Sequence, residues 1–234
     1  MNAENQRRIG QGLLLLLVAF GLQLVLGPIL DALSALIMVR DASNLDAVFK
    51  VQRFTHFATD MVVSAFLLSG AVLLLRSLGS YAQFLLAGLA VSLGLEVLTV
   101  SLAAFSPSWR STLTVTSLVG LVSTVVWVAT SVALLLLLRK ATAIAGSRAS
   151  TVASVLVCVK LVYSLIFPLV FVVWNRLAAP DSLVLFRVAG MAMNTAGGLS
   201  FMWLAFRARR AVLGLLLDAT VAGQDAYRGP TALR

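Results

Sequence analysis

The sequence predicts an all-α fold, a polytopic membrane helical bundle of six transmembrane helices arranged as three hairpins. Three observations lead there. The mean hydropathy is +1.00. Hydrophobic residues make up 60% of the 234-residue chain, well above the roughly 45–50% apolar share of soluble domains. Uncharged runs near the ~20 residues that cross the hydrocarbon recur along the chain, and most basic residues flank those runs, where they orient helices against lipid headgroups.

After a polar start, MNAENQRR, Ile9 to Leu30 runs 22 residues without a charge. A removable signal peptide is the rival reading, helped by the small residues at Ala32–Ala35. The run exceeds the ~7–15 residues of a signal core, so it reads as a retained first helix with Pro28 and Asp31 near its outer end. Residues 39–59 read as the longest loop. Between Asp60 and Arg76 only 15 residues are uncharged, about 22 Å of helix at ~1.5 Å per residue. That is too short to span, so the second helix is expected to begin near Phe54 and to carry His56 and Asp60 in its first turns, at an outer mouth. Four residues apart, these two share a face. They form either an interfacial helix start or a proton-sensitive pair, and they are too few for a typical transition-metal site.

Arg76 and the Gly79–Ser80 turn close the first hairpin, and a third helix, about Gln83 to Phe105, contains Glu96. The fourth, about Ser111 to Leu138, has no charge and carries Thr116/Ser117, Ser123/Thr124 and Thr130/Ser131. Hydroxyl rows of this kind mark close helix packing in membranes. A basic loop from Arg139 to Ser150 leads to the fifth helix, Thr151 to Trp174, with Lys160 near its middle. The sixth, about Ser182 to Phe206, carries Arg187, Gly190, Asn194, Gly197 and Gly198. Residues 1–206 therefore read as the transmembrane domain. Residues 207–234 read as a basic amphipathic tail at the membrane surface, disordered beyond Gly223.

With the N-terminus inside, the inner side collects nine basic residues and the outer side six. That bias places both termini in the cytoplasm. Arginine outnumbers lysine 15 to 3, a compositional pointer to a GC-rich bacterial genome and hence to a bacterial cytoplasmic (inner) membrane.

Charged residues inside membrane segments are functional-site hypotheses by default. Counted from the inner helix ends, Glu96 lies roughly 21 Å deep, Lys160 roughly 15 Å and Asn194 roughly 18 Å. Glu96 and Lys160 are expected to meet, with Asn194 at the same depth. Tyr163 shares the face of Lys160, and Arg187 that of Asn194. One reading is a solute- or ion-binding site at the midplane lined by Glu96, Lys160, Asn194, Tyr163 and Arg187, with His56, Asp60 and Asp31 at its outer mouth. The other is a buried ion pair that fixes which helices pack together.

Several function classes are disfavoured. The net charge of +9 comes mainly from residues flanking apolar runs, which argues for lipid headgroups and against nucleic acid. A single cysteine, Cys158, makes neither an intrachain disulfide nor a thiolate cluster, and a single histidine cannot hold haem in a paired-histidine site. There is no H-E-x-x-H, G-x-S-x-G, Cys-x-x-Cys or glycine-rich phosphate loop. No enzyme activity, metal or cofactor is expected. The expectation is a small-solute or ion transporter or its membrane binding subunit. The alternative is a non-catalytic accessory or scaffold subunit of a larger membrane complex. Expected partners are membrane lipid, a small solute or ion, and other membrane subunits or a second copy of the chain.

Overall fold

A computed structural model of the chain describes residues 3–40, 45–105, 109–177 and 180–227. Every element among them is an α-helix: α1 (Ala3–Arg40), α2 (Leu45–Leu78), α3 (Ser80–Phe105), α4 (Trp109–Ile144), α5 (Thr151–Leu177) and α6 (Pro180–Tyr227). Four described stretches, Ala3–Leu30, Arg53–Leu78, Ser80–Leu102 and Val119–Ile144, are long and apolar enough to cross a membrane. A bilayer core offers backbone groups no water, so helices that satisfy their own N–H and C=O groups are the solution such sequences adopt. This is a multi-pass membrane helical bundle.

Two glycines in the left-handed region end helices and turn the chain. Gly79 (φ 56°) closes α2, its N–H donating to the Leu75 carbonyl at 3.0 Å. Gly146 (φ 68°) closes α4 with a paired cap: its N–H donates to the Ala143 carbonyl at 2.9 Å and the Ser147 N–H to the Thr142 carbonyl at 3.0 Å. A side chain at either position would be strained, and glycine is the residue that avoids it.

The helices overrun the lengths expected from apolar runs alone. α2 begins at Leu45, not near Phe54, so most of the expected 39–59 loop is helical. α4 continues to Ile144, halfway into the expected basic loop, and α6 runs without a break past Phe206 to Tyr227. Charge ends a hydrophobic run, but Lys, Arg, Gln and Ala are all good helix formers, so the backbone continues where the apolar pattern stops. The boundary expected at residue 207 is therefore not a structural break. Ala208 and Val212 are fully buried against the bundle, and Gly10 of α1 lies against Leu213.

Each helix packs on its neighbours in sequence, most extensively in the hairpin pairs α1–α2 and α3–α4, and α6 returns to close against α1. α4 also packs against both α5 and α6. The buried core gathers at the arginine-rich end, where α1, α3 and α5 start and α2, α4 and α6 descend. Lipid tails are as apolar as leucine, so close approach and packing supply the association. Gly12 and Gly70 bring α1 and α2 so near that a methyl group on either would stand 2.9 Å from the other's carbonyl oxygen. Gly88 of α3 receives the buried Thr130 of α4, as the hydroxyl rows predict for this position. Phe20 and Phe201 stack across α1 and α6 with centroids 5.5 Å apart. Several helical hydroxyls bond within their own helices, as when Thr130 donates to the Val126 carbonyl at 2.7 Å.

Candidate functional site

Two polar centres lie within the bundle, on different helix pairs. The first is on α2 and α3. His56 and Asp60 occupy successive turns of α2, and Glu96 stands on α3, the next helix in the bundle. Asp60 has both Glu96 and His56 within electrostatic reach. All three side chains are half-buried. The hairpin explains the meeting. Asp60 lies 19 residues before Gly79 and Glu96 17 after it, so two helices folded back at that glycine bring them within about two residues, or ~3 Å, of the same height. Among the described residues, no group of three His, Cys, Asp or Glu side chains has a geometry that would hold a metal ion. The cluster can attract a proton or a monovalent cation, because two carboxylates in hydrocarbon repel unless positive charge stands with them.

The second centre is Lys160 on α5, 6% exposed. Its alkyl stem lies against Gly197 of α6, where a side chain would collide with it, and its Nζ sits 4.5 Å from the centroid of the Trp127 ring on α4. A ring face stabilises an ammonium by about 2 kcal/mol when the pair is desolvated, and the missing side chain at Gly197 makes room for the stem. Among the described residues Lys160 makes no ion pair. The direct Glu96–Lys160 ion pair expected from equal depth is not formed. α4 packs against both α3 and α5, while α3 and α5 share at most a marginal contact, and Lys160 meets the aromatic face that α4 presents.

Asn194, expected to join Lys160, is exposed on α6, one turn from the buried Gly197. Tyr163 is half-buried one turn beyond Lys160 with its hydroxyl enclosed. The side chains of Asp31 and Arg187 lie outside the described residues. Trp127 and Gly197 were missed as partners of the lysine. A signal for the role of Trp127 is present: residues 97–180 contain no Asp or Glu, so any partner for Lys160 on α4 or α5 has to be something other than a carboxylate. No family model, curated protein or solved structure matches this chain.

Proposed function

We propose that this chain is an ion-coupled transporter, or the membrane subunit that binds a small solute or ion for one, with Asp60, Glu96 and His56 holding the coupling proton or monovalent cation. The observation that carries this is the Asp60–Glu96 pair: two carboxylates on adjacent helices folded back at Gly79, at nearly the same height. A scaffold gains nothing from like charges placed together in hydrocarbon, whereas a cation site needs them. Transporter sites near mid-bilayer commonly collect such groups on facing helices. The same reading is non-catalytic and puts the protein in a bacterial inner membrane with both termini cytoplasmic, supported by the excess of basic residues at that end.

The test is flux. Purified protein in liposomes, driven by a potassium diffusion potential, is expected to carry protons (trapped pH dye) or sodium (tracer uptake) above empty liposomes. Asp60→Asn is expected to lower that flux toward background while leaving the protein monodisperse. Flux of both ions equal to that of empty liposomes would overturn the reading. The second reading, an accessory or scaffold subunit, would then stand on the glycine-mediated close packing of α1 with α2 and α3 with α4.

A further inference from the structure

Where α4 hands over to α5, the paired cap at Gly146 turns the chain and Ser150 starts the next helix, its hydroxyl accepting from the Ala153 N–H at 3.4 Å. Beside this turn lies a groove of about 440 Å³. One end is lined by Arg139, Thr151 and Ser154, and the rest by Val155, Val159 and Val162 along α5. The three valines are 55%, 47% and 55% exposed, so the groove opens sideways, where hydrocarbon would lie. The Ser154 hydroxyl already donates to the Ser150 carbonyl at 2.9 Å. That leaves the Thr151 hydroxyl and the Arg139 guanidinium, which makes no ion pair among the described residues.

The charge at this end of α4 and α5 is one-sided. Arg139, Lys140 and Arg148 stand together around the turn, and residues 97–180 contain no Asp or Glu. From Thr151 to Val162 the groove follows α5 for 11 residues, roughly 16 Å at ~1.5 Å each, a polar head followed by an apolar track. We infer that this groove is a binding site for an anionic phospholipid, its phosphate on Arg139 and Thr151 and one acyl chain along Val155, Val159 and Val162. A soluble anion would use the arginine and leave the valines uncovered. A zwitterionic lipid would cover the valines but bring no net charge to an arginine that makes no ion pair among the described residues. Basic pockets between transmembrane helices on the positively charged side are where anionic headgroups settle. The inference is independent of the transport reading, since none of these residues belongs to either polar centre.

The single cysteine, Cys158, also lines the groove and is exposed, which supplies a native probe position. The protein, labelled at Cys158 with a small fluorophore, is reconstituted into phosphatidylcholine vesicles. The quencher is either brominated phosphatidylglycerol or brominated phosphatidylcholine, at equal mole fraction. Since one basic residue contributes about 1 kcal/mol toward an anionic lipid, the expected local enrichment is roughly fivefold, and the brominated phosphatidylglycerol quenches correspondingly more strongly. Arg139→Gln should abolish the preference, and Arg139→Lys, which keeps the charge, should retain it. Equal quenching by the two lipids in the wild type overturns the assignment. So does a preference that survives in Arg139→Gln, or one that Arg139→Lys loses as completely as Arg139→Gln.

Discussion

Replacing Gly197 with alanine puts a methyl group where the stem of Lys160 now lies. The added carbon would stand 2.9 Å from Lys160 Cγ and 3.1 Å from its Cβ, and closer still to Cδ. The lysine Cβ is fixed to the α5 backbone, so the clash cannot be relieved by swinging the chain end alone. Either α5 and α6 part slightly or the stem leaves its groove and lifts the ammonium off Trp127. Overpacking of this kind costs about 1–3 kcal/mol, set against a gain of ~1 kcal/mol from replacing glycine by alanine within a helix. The net effect in the wild type is then a loss of roughly 0–2 kcal/mol. In a Lys160→Ala background the obstruction is gone, and the same Gly197→Ala change should stabilise by up to ~1 kcal/mol. The coupling across the cycle is therefore about 1–3 kcal/mol, read from unfolding in mixed micelles with increasing denaturing detergent. If Gly197→Ala has the same effect in both backgrounds within ~0.5 kcal/mol, the lysine does not occupy that groove.

Three further outcomes are expected. Neutralising either member of the like-charged pair, Glu96→Gln or Asp60→Asn, should relieve the repulsion, so the second neutralisation gains less than the first. A thermal-stability cycle in detergent that is additive within ~0.5 kcal/mol would separate the two carboxylates. With Cys158 replaced by serine, cysteines introduced at His56 and Asp60 should react with membrane-impermeant thiol reagents applied from outside, and complete protection of both would bury that end of α2. Reporter fusions after Ser147 and at the C-terminus should both read cytoplasmic, whereas a cytoplasmic signal from residues 40–53 would invert the topology.

The hydrophobic runs and turn glycines made the helices legible, because a spanning segment must be long, apolar and closed off by a residue free to turn. The charge pattern did not mark where helices end: α2 and α6 carry straight on through Arg53 and Arg207, since helix propensity does not depend on the lipid boundary. Depth could be counted and Lys160 singled out, but a count of rise per residue says nothing about lateral neighbours. It put Glu96 opposite Lys160, although α4 packs against both of their helices. The hairpin at Gly79 held better information, as folding at that point pairs Asp60 with Glu96 without any knowledge of the other helices. Trp127 gave no signal of its own, since an aromatic residue in an uncharged run serves lipid, core and cation equally well.

The contact of Gly12 with Gly70 restricts how the bundle can move. Leu74 is seated against Gly12 and Leu16 against Gly70, with the two backbones close beside them, so sliding by part of a turn would drive a leucine into the facing helix and is resisted at that level. Rocking about the contact point is the easier motion, because a small tilt leaves both leucines seated. The glycines thus act as a fulcrum near the arginine-rich end, with the longer lever arm toward His56 and Asp60. A tilt of 10° about it would carry Asp60, ten residues or roughly 15 Å away, through about 2.6 Å, enough to make or break a hydrogen bond while the packed end stays closed.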